Sequence, residues 1–239
     1  MSKSVAVVGA GPGLGQAVAR RYAREGYTVA LIARRRESLD ALAAELTRAG
    51  ATAHAITADL SSERAVPQLA EQIRAKAGSL DAIYYGPSVR GYIPVVDLTA
   101  EQLRELMPLG VYSLVDLVHE FLPHMLSQQQ GTILVAAAAS AVQGIPNLAG
   151  TAVLAAQRNY LQALQAKVTE QGVYVGRLYI GAVIQHSAFH AQQEAARAAG
   201  QPVMDMPVVD PAHLADLLWT MQSAKDEHEV LYSKDLLAR

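Results

Sequence analysis

The chain has 239 residues, a formal charge of −2 from 20 Lys and Arg against 22 Asp and Glu, and no cysteine. Without cysteine there are no disulfides, thiolate metal sites or cysteine nucleophile, and the near-neutral balance gives no electrostatic case for nucleic acid or an anionic membrane surface as partner. At 51% hydrophobic and 18% charged residues the composition is that of a folded globular protein, and no apolar run reaches the length of about 18 residues that a bilayer span needs.

Short apolar runs alternate with amphipathic stretches along the chain. Met1–Ser4 leads straight into a strand at Val5–Val8 with no apolar leader, which predicts a cytoplasmic protein. A helix over Gly13–Arg24 puts Leu14, Ala17, Val18 and Tyr22 on one face. A strand at Tyr27–Ile32 is followed by a helix from Ser38 to Ala49, with Gly50 as its stop. Next come a strand at His54–Thr57, a helix at Glu63–Ala77 and a strand at Ala82–Tyr85. A loop rich in Gly and Pro, Gly86–Asp97, precedes a long helix over Ala100–Ser127, in which Pro108 is expected to kink the axis. The remaining elements are a strand at Ile133–Val135, a helix ending near Gln171, a strand at Val173–Tyr179, a helix at Pro211–Ser223 and a strand at Val230–Tyr232. The segment 185–207 interrupts the alternation and reads as a mobile lid. The pattern predicts one α/β domain spanning 1–239, a Rossmann-type doubly wound parallel sheet of about seven strands with helices on both faces.

The turn Gly9-Ala10-Gly11-Pro12-Gly13-Leu14-Gly15 lies between the first strand and the first helix. A diphosphate bound there needs a backbone without Cβ atoms and the free N–H groups of a helix start. The spacing is Gly-x-x-x-Gly-x-Gly, because the commoner dinucleotide spacing would need glycine at Leu14. With Asp59-Leu60 after the third strand, Gly110 in the long helix, Gly131 before the fifth strand and Pro146 beyond it, the chain resembles the short-chain dehydrogenase/reductase family from Val5 to about Tyr232.

The resemblance implies a dinucleotide held by Gly9, Gly13, Leu14, Gly15, Arg34, Asp59, Leu60 and Gly86. An acidic residue ending the second strand would select NAD(H). This strand ends Ala33-Arg34-Arg35-Arg36, and a guanidinium suits a 2′-phosphate. NADP(H) is therefore favoured, with Arg34 as the main contact.

The resemblance also implies an Asn-Ser-Tyr-Lys set, in which a Tyr protonates the alkoxide formed by hydride addition to a carbonyl. Aligning on Gly110, Gly131 and Pro146 puts Met107, Ala138, Thr151 and Ala155 at those four positions. No Tyr-x-x-x-Lys string exists, since Tyr160 is followed by Leu164. The catalytic residues are left unknown, with Tyr85, Tyr112 and His186 as the candidates to test. His186 and His190 share an i, i+4 spacing but have no third ligand, so no metal is expected.

The favoured function is an NADP(H)-dependent oxidoreductase acting on a carbonyl or related group of a small-molecule substrate. The alternatives are a catalytically inactive cofactor- or partner-binding relative, or a non-redox cyclase or lyase on the same scaffold. The two long helices after the fourth and fifth strands predict a homodimer or homotetramer, with Ala149, Gly150, Ala152, Ala155 and Ala156 permitting a close seam.

Overall fold

The computed structural model describes residues 3–62, 64–89 and 91–233. The first half alternates β1 (Ser4–Val8), α1 (Leu14–Arg24), β2 (Thr28–Ala33), α2 (Arg36–Arg48), β3 (Ala53–Thr57), α3 (Ala65–Ala77) and β4 (Ala82–Tyr85). The start expected at Glu63 lies outside the described residues. The second half holds α4 (Ala100–Met107), a π-helical turn (Pro108–Tyr112), α5 (Ser113–Ser127), β5 (Gly131–Ala138), α6 (Ala152–Val168), β6 (Val173–Ile180), β7 (Val183–Ile184), α7 (Ala188–Ala198), β8 (Val208–Val209), α8 (Pro211–Ala224) and β9 (Glu229–Tyr232). Among the described residues no helix is long and apolar enough to cross a membrane.

Seven strands form one parallel sheet in the order β3-β2-β1-β4-β5-β6-β9. The central strand β1 is buried along its whole length, as expected of a strand covered on both faces. Alternate side chains divide between two cores. Val5, Val7 and Tyr84 join α1, α2 and α8 on one face, while Ala6, Val8 and Tyr85 join α3, α5 and α6 on the other. On the first face the single tryptophan, Trp219 on α8, packs edge-on against Tyr22 at 5.3 Å and Tyr27 at 6.0 Å.

Three elements differ from the sequence expectation. The helix expected over Ala100–Ser127 is broken at Pro108, whose ring and missing N–H cannot continue the ladder. A π turn opens there and frees main-chain carbonyls, which buried side chains take up. The Ser113 hydroxyl lies 2.8 Å from Pro108 O and 2.7 Å from Leu60 O. The Tyr85 hydroxyl donates to Leu109 O at 2.5 Å, and the Gln157 side-chain amide donates to Gly110 O. Strand β5 runs to Ala138, well past Val135, and pairs with β6 through its whole length. Its last three residues are alanines, too small to mark a strand by hydrophobicity. Within 185–207 the chain forms its helix as α7, while β7 and β8 on either side pair in a two-stranded parallel ladder that the sequence did not mark.

The last strand is held by charge. Arg177 on β6 is 3% exposed and reaches Glu229 at 3.0 Å, Gln165 Oε1 at 2.7 Å and Leu161 O at 3.3 Å. Arg158 on α6 pairs with the same carboxylate at 2.6 Å. Burial pushes the Glu229 carboxyl up, but the bonds and charges of Arg158 and Arg177 outweigh it and hold the group below its ordinary value of 4.5.

Two outcomes follow. Gln157→Leu leaves the Gly110 carbonyl buried without a donor and should lower unfolding stability by about 1–3 kcal/mol in urea titrations. For Glu229 the folded carboxyl is the stronger acid, so its contribution is complete above pH 4.5 and fades as pH falls through the lower folded value. Glu229→Gln should therefore be less stable than the parent at neutral pH, and the gap should close on acidification below the ordinary glutamate range.

Candidate active site

Strand order reverses at β1: β2 and β3 lie to one side, and β4, β5, β6 and β9 to the other. In an open parallel sheet the crevice beyond the carboxyl ends of the strands at this point is where ligands bind. Here it is made by three backbones that leave no room for side chains. Gly9 has φ 92°, and a Cβ there would lie 2.8 Å from the Gly86 carbonyl carbon. A Cβ on Gly15, in the first turn of α1, would fall 1.9 Å from Gly9 O. Gly13, at φ 90°, faces Ser187, whose Cβ would be 3.2 Å from an added Cβ.

Hydrogen bonds on both sides hold this turn. Gly9 and Ala10 N–H donate to Ile32 O at 2.9 and 3.0 Å, and Gly86 N–H donates to Val8 O at 2.9 Å. The ladder of α1 begins with Gln16 N–H on Gly11 O and Ala17 N–H on Gly13 O. The amides of Leu14 and Gly15 have no earlier turn to bond to. No acidic residue sits in the first turn, so the positive end of the helix is uncompensated. The turn fits a diphosphate in shape and in charge.

Arg34 and Arg35 stand exposed between β2 and α2, and neither makes an ion pair among the described residues, whereas Arg36 is paired with Asp40 at 2.8 Å. Asp59 lies across the β3 end from them. Its carboxylate accepts from the Ser61 hydroxyl at 2.7 Å and the Ser61 amide at 3.1 Å. Those two bonds, together with the Arg34 charge, hold it below the usual aspartate value against the effect of burial. Leu60 is buried at the adjoining position.

The four positions where the resemblance expects catalytic groups carry side chains that are apolar or already engaged. Ala138 ends β5, and Ala155 lies one turn into α6; both are exposed and offer no hydrogen-bonding group. Thr151 is 6% exposed, and its hydroxyl donates to Leu148 O at 2.5 Å. Met107 packs with Val89, Leu103 and Leu106 against Val153 and Leu154. No free proton donor stands at any of these four positions.

The three candidate acids differ in their surroundings. Tyr85 is 2% exposed within the α3–α5–α6 core, and its proton is directed at Leu109 O. Burial pushes its pKa well above the ordinary tyrosine value, with the Ser113 hydroxyl pulling the other way. Of the candidates to test, Tyr85 is thus placed in the core by strand alternation. Tyr112 is 41% exposed in the π turn. His186 is exposed at φ 63°, ahead of α7 rather than in it, because Ser187 caps that helix by accepting from His190 N–H at 3.1 Å. The common helix face expected for His186 and His190 is therefore absent.

Sequence reading missed three features: the carbonyl-binding roles of Ser113 and Gln157, the contact of Ser187 with Gly13, and the stacking of Tyr92 on Phe189 at 5.6 Å. All three depend on long-range packing. Only Pro108 carried a local signal, for the first.

The family model for short chain dehydrogenase matches residues 3–196. The chain belongs to this short-chain dehydrogenase family. It is 30% identical over 217 residues to the uncharacterized oxidoreductase YghA of Escherichia coli, covering 84% of this chain and 73% of that protein. It is 28% identical over 184 residues to a fatty acyl-CoA reductase of Acinetobacter baylyi, where the match covers 74% of this chain but only 61% of the relative's length. Among solved structures, an alcohol dehydrogenase from Thermococcus sibiricus complexed with 5-hydroxy-NADP superposes with a TM-score of 0.79 at 22% identity, covering 97% of this chain and 96% of that one.

Gly15→Ala tests the site's central contact. With a Cβ 1.9 Å from Gly9 O, α1 must shift outward. The variant should lose measurable dinucleotide binding in fluorescence titrations while keeping a parallel-sheet circular dichroism spectrum.

Proposed function

We propose that this chain binds NADP(H) and acts as an oxidoreductase on a carbonyl or related group, with a proton-transfer end rebuilt from apolar side chains. The observation that carries the reading is the glycine turn beside two unpaired arginines at the end of β2, where an acidic residue would favour NAD(H).

The amides of Leu14 and Gly15 would hold the diphosphate, and Gly9 and Gly86 would let it approach the sheet. Arg34 would take the 2′-phosphate, with Arg35 beside it, since a guanidinium fork matches phosphate geometry. Asp59 and Leu60 would border the adenine. The bound nicotinamide supplies or accepts a hydride. Segment 185–207 would cover the crevice, with Ser187 resting on the phosphate turn. Met107, Ala138, Thr151 and Ala155 would shape the substrate end without supplying an acid. Losing a general acid typically lowers rate by about 10²–10⁴-fold.

The same apolar end favours a second reading, a cofactor-binding relative without turnover. NADPH consumption over a panel of ketones, enones and imines separates the two, since binding without consumption selects the second. The exposed small residues Ala152 and Ala156 on α6 support a homodimer or homotetramer with close helix contact.

Charge-assisted hydrogen bonds contribute about 1.5–3 kcal/mol, so Arg34→Ala should weaken NADPH binding about 10- to 100-fold and leave NADH binding unchanged. Equal loss for both nucleotides would overturn the assignment of Arg34. Absence of any nucleotide binding by the parent chain would overturn the reading as a whole.

A further inference from the structure

Among the described residues, six large hydrophobic side chains stand well exposed: Tyr92, Val95, Val96, Tyr112, Met204 and Val208. Five of them lie on two stretches, the loop after β4 and the return from α7 to β8. The two stretches converge. Tyr92 stacks on Phe189 in the first turn of α7, with ring centroids 5.6 Å apart and planes 24° from parallel. The Gln193 side chain accepts from Met204 N–H at 2.8 Å and folds the second stretch back along the same helix.

Each ring is mounted on one half of the crevice. The Tyr92 loop is joined by main-chain bonds to the segment ahead of α6: Ala149 N–H donates to Ile93 O at 2.9 Å and Val95 N–H to Pro146 O at 2.8 Å. Gly91 makes the junction close, since a Cβ there would lie 2.5 Å from Thr151 N. Phe189 is carried by α7, whose capping residue Ser187 rests on Gly13. The ring pair therefore spans from the substrate end, at Thr151, to the phosphate turn. Tyr92 is 54% exposed, so much of its ring is open to a further partner.

A flat ring laid against this pair gains offset stacking in addition to burial, whereas an alkyl chain gains burial alone and a polyol finds few polar partners on these stretches. We propose that Tyr92 and Phe189 are specificity-determining residues at the mouth of the crevice and select a small ligand carrying a flat aromatic ring over an alkyl or polyhydroxylated one of similar size. The proposal rests on the crevice being the nucleotide site, so nucleotide binding is measured first and separately.

The test reads binding without turnover. Dissociation constants for a quinoline carbaldehyde, an alkyl aldehyde of equal carbon number and a ketohexose are measured by saturation-transfer NMR on the full chain, both free and saturated with NADP+. The ring aldehyde should bind the parent most tightly. Aromatic pairs contribute about 0.5–1.5 kcal/mol beyond burial, so Tyr92→Leu and Phe189→Leu should each weaken that ligand about 2- to 10-fold and leave the alkyl aldehyde unchanged. Tyr92→Phe should keep the preference. Unchanged Trp219 emission reports an intact fold. Equal affinity for the three ligands, or equal loss for all three in the leucine variants, would overturn the proposal. If NADP+ fails to bind, the proposed function falls, and ring selectivity on the nucleotide-free chain still decides this inference.

Discussion

The arrangement depends on the mutual contact of three main chains at the end of β1. Gly9, Gly15 and Gly86 come from a strand end, a helix start and a second strand end, and each is close enough to a neighbour's carbonyl or ring that a Cβ would collide. The contact is rigid because the turn bonds to the sheet on both sides, to Ile32 O and through Val8 O. A helix start held this way presents its unbonded amides and positive dipole end at a fixed place. The arginines at the end of β2 then fall beside it through the register of β1 with β2. The fit of this turn to a diphosphate is thus a property of backbone packing first and of side-chain charge second.

The broken helix between α4 and α5 shows how a local defect is stabilised. Pro108 removes a ladder bond; its own carbonyl keeps the Ser113 N–H, while those of Leu109 and Gly110 are met by side chains. The phenol of Tyr85 and the amide of Gln157 take one each, and the Ser113 hydroxyl lies between Pro108 O and Leu60 O, so three different elements meet here. Unpaired carbonyls in a core are costly, and these bonds tie β4, α5 and α6 together at one point. The same bonds explain why Tyr85 is unavailable as an acid: its phenol is engaged in supporting the helix break.

Much of the sheet was legible from sequence because its signals are local. The apolar runs of β1, β2, β4 and β6 and the helical stripes of α1, α2 and α8 each fit within one element, and the glycine spacing marked the tight turn between β1 and α1. The features that were not legible need partners distant in sequence. The end of β5 is alanine, strand-like only because β6 lies beside it. Tyr85 was a candidate for the site, and only the sheet's packing shows that the pleat sends it and Tyr84 to opposite cores. His186 looked helical by spacing, but the Ser187 cap starts α7 after it.

The two ends of the crevice divide recognition unequally. Where β1 and β2 end, the first amides of α1 and guanidiniums without an ion pair among the described residues offer strong, directional bonds. At the other end, Thr151 has its hydroxyl engaged, Met107 is packed among aliphatic side chains, and Ala138 and Ala155 present methyl groups to solvent. Such a surface discriminates by shape and apolar area, each methylene contributing about 0.8 kcal/mol, and cannot select a hydroxyl or carboxylate by pairing it. On the proposed reading, selectivity toward a substrate falls to groups at the rim, among them the stacked rings of Tyr92 and Phe189.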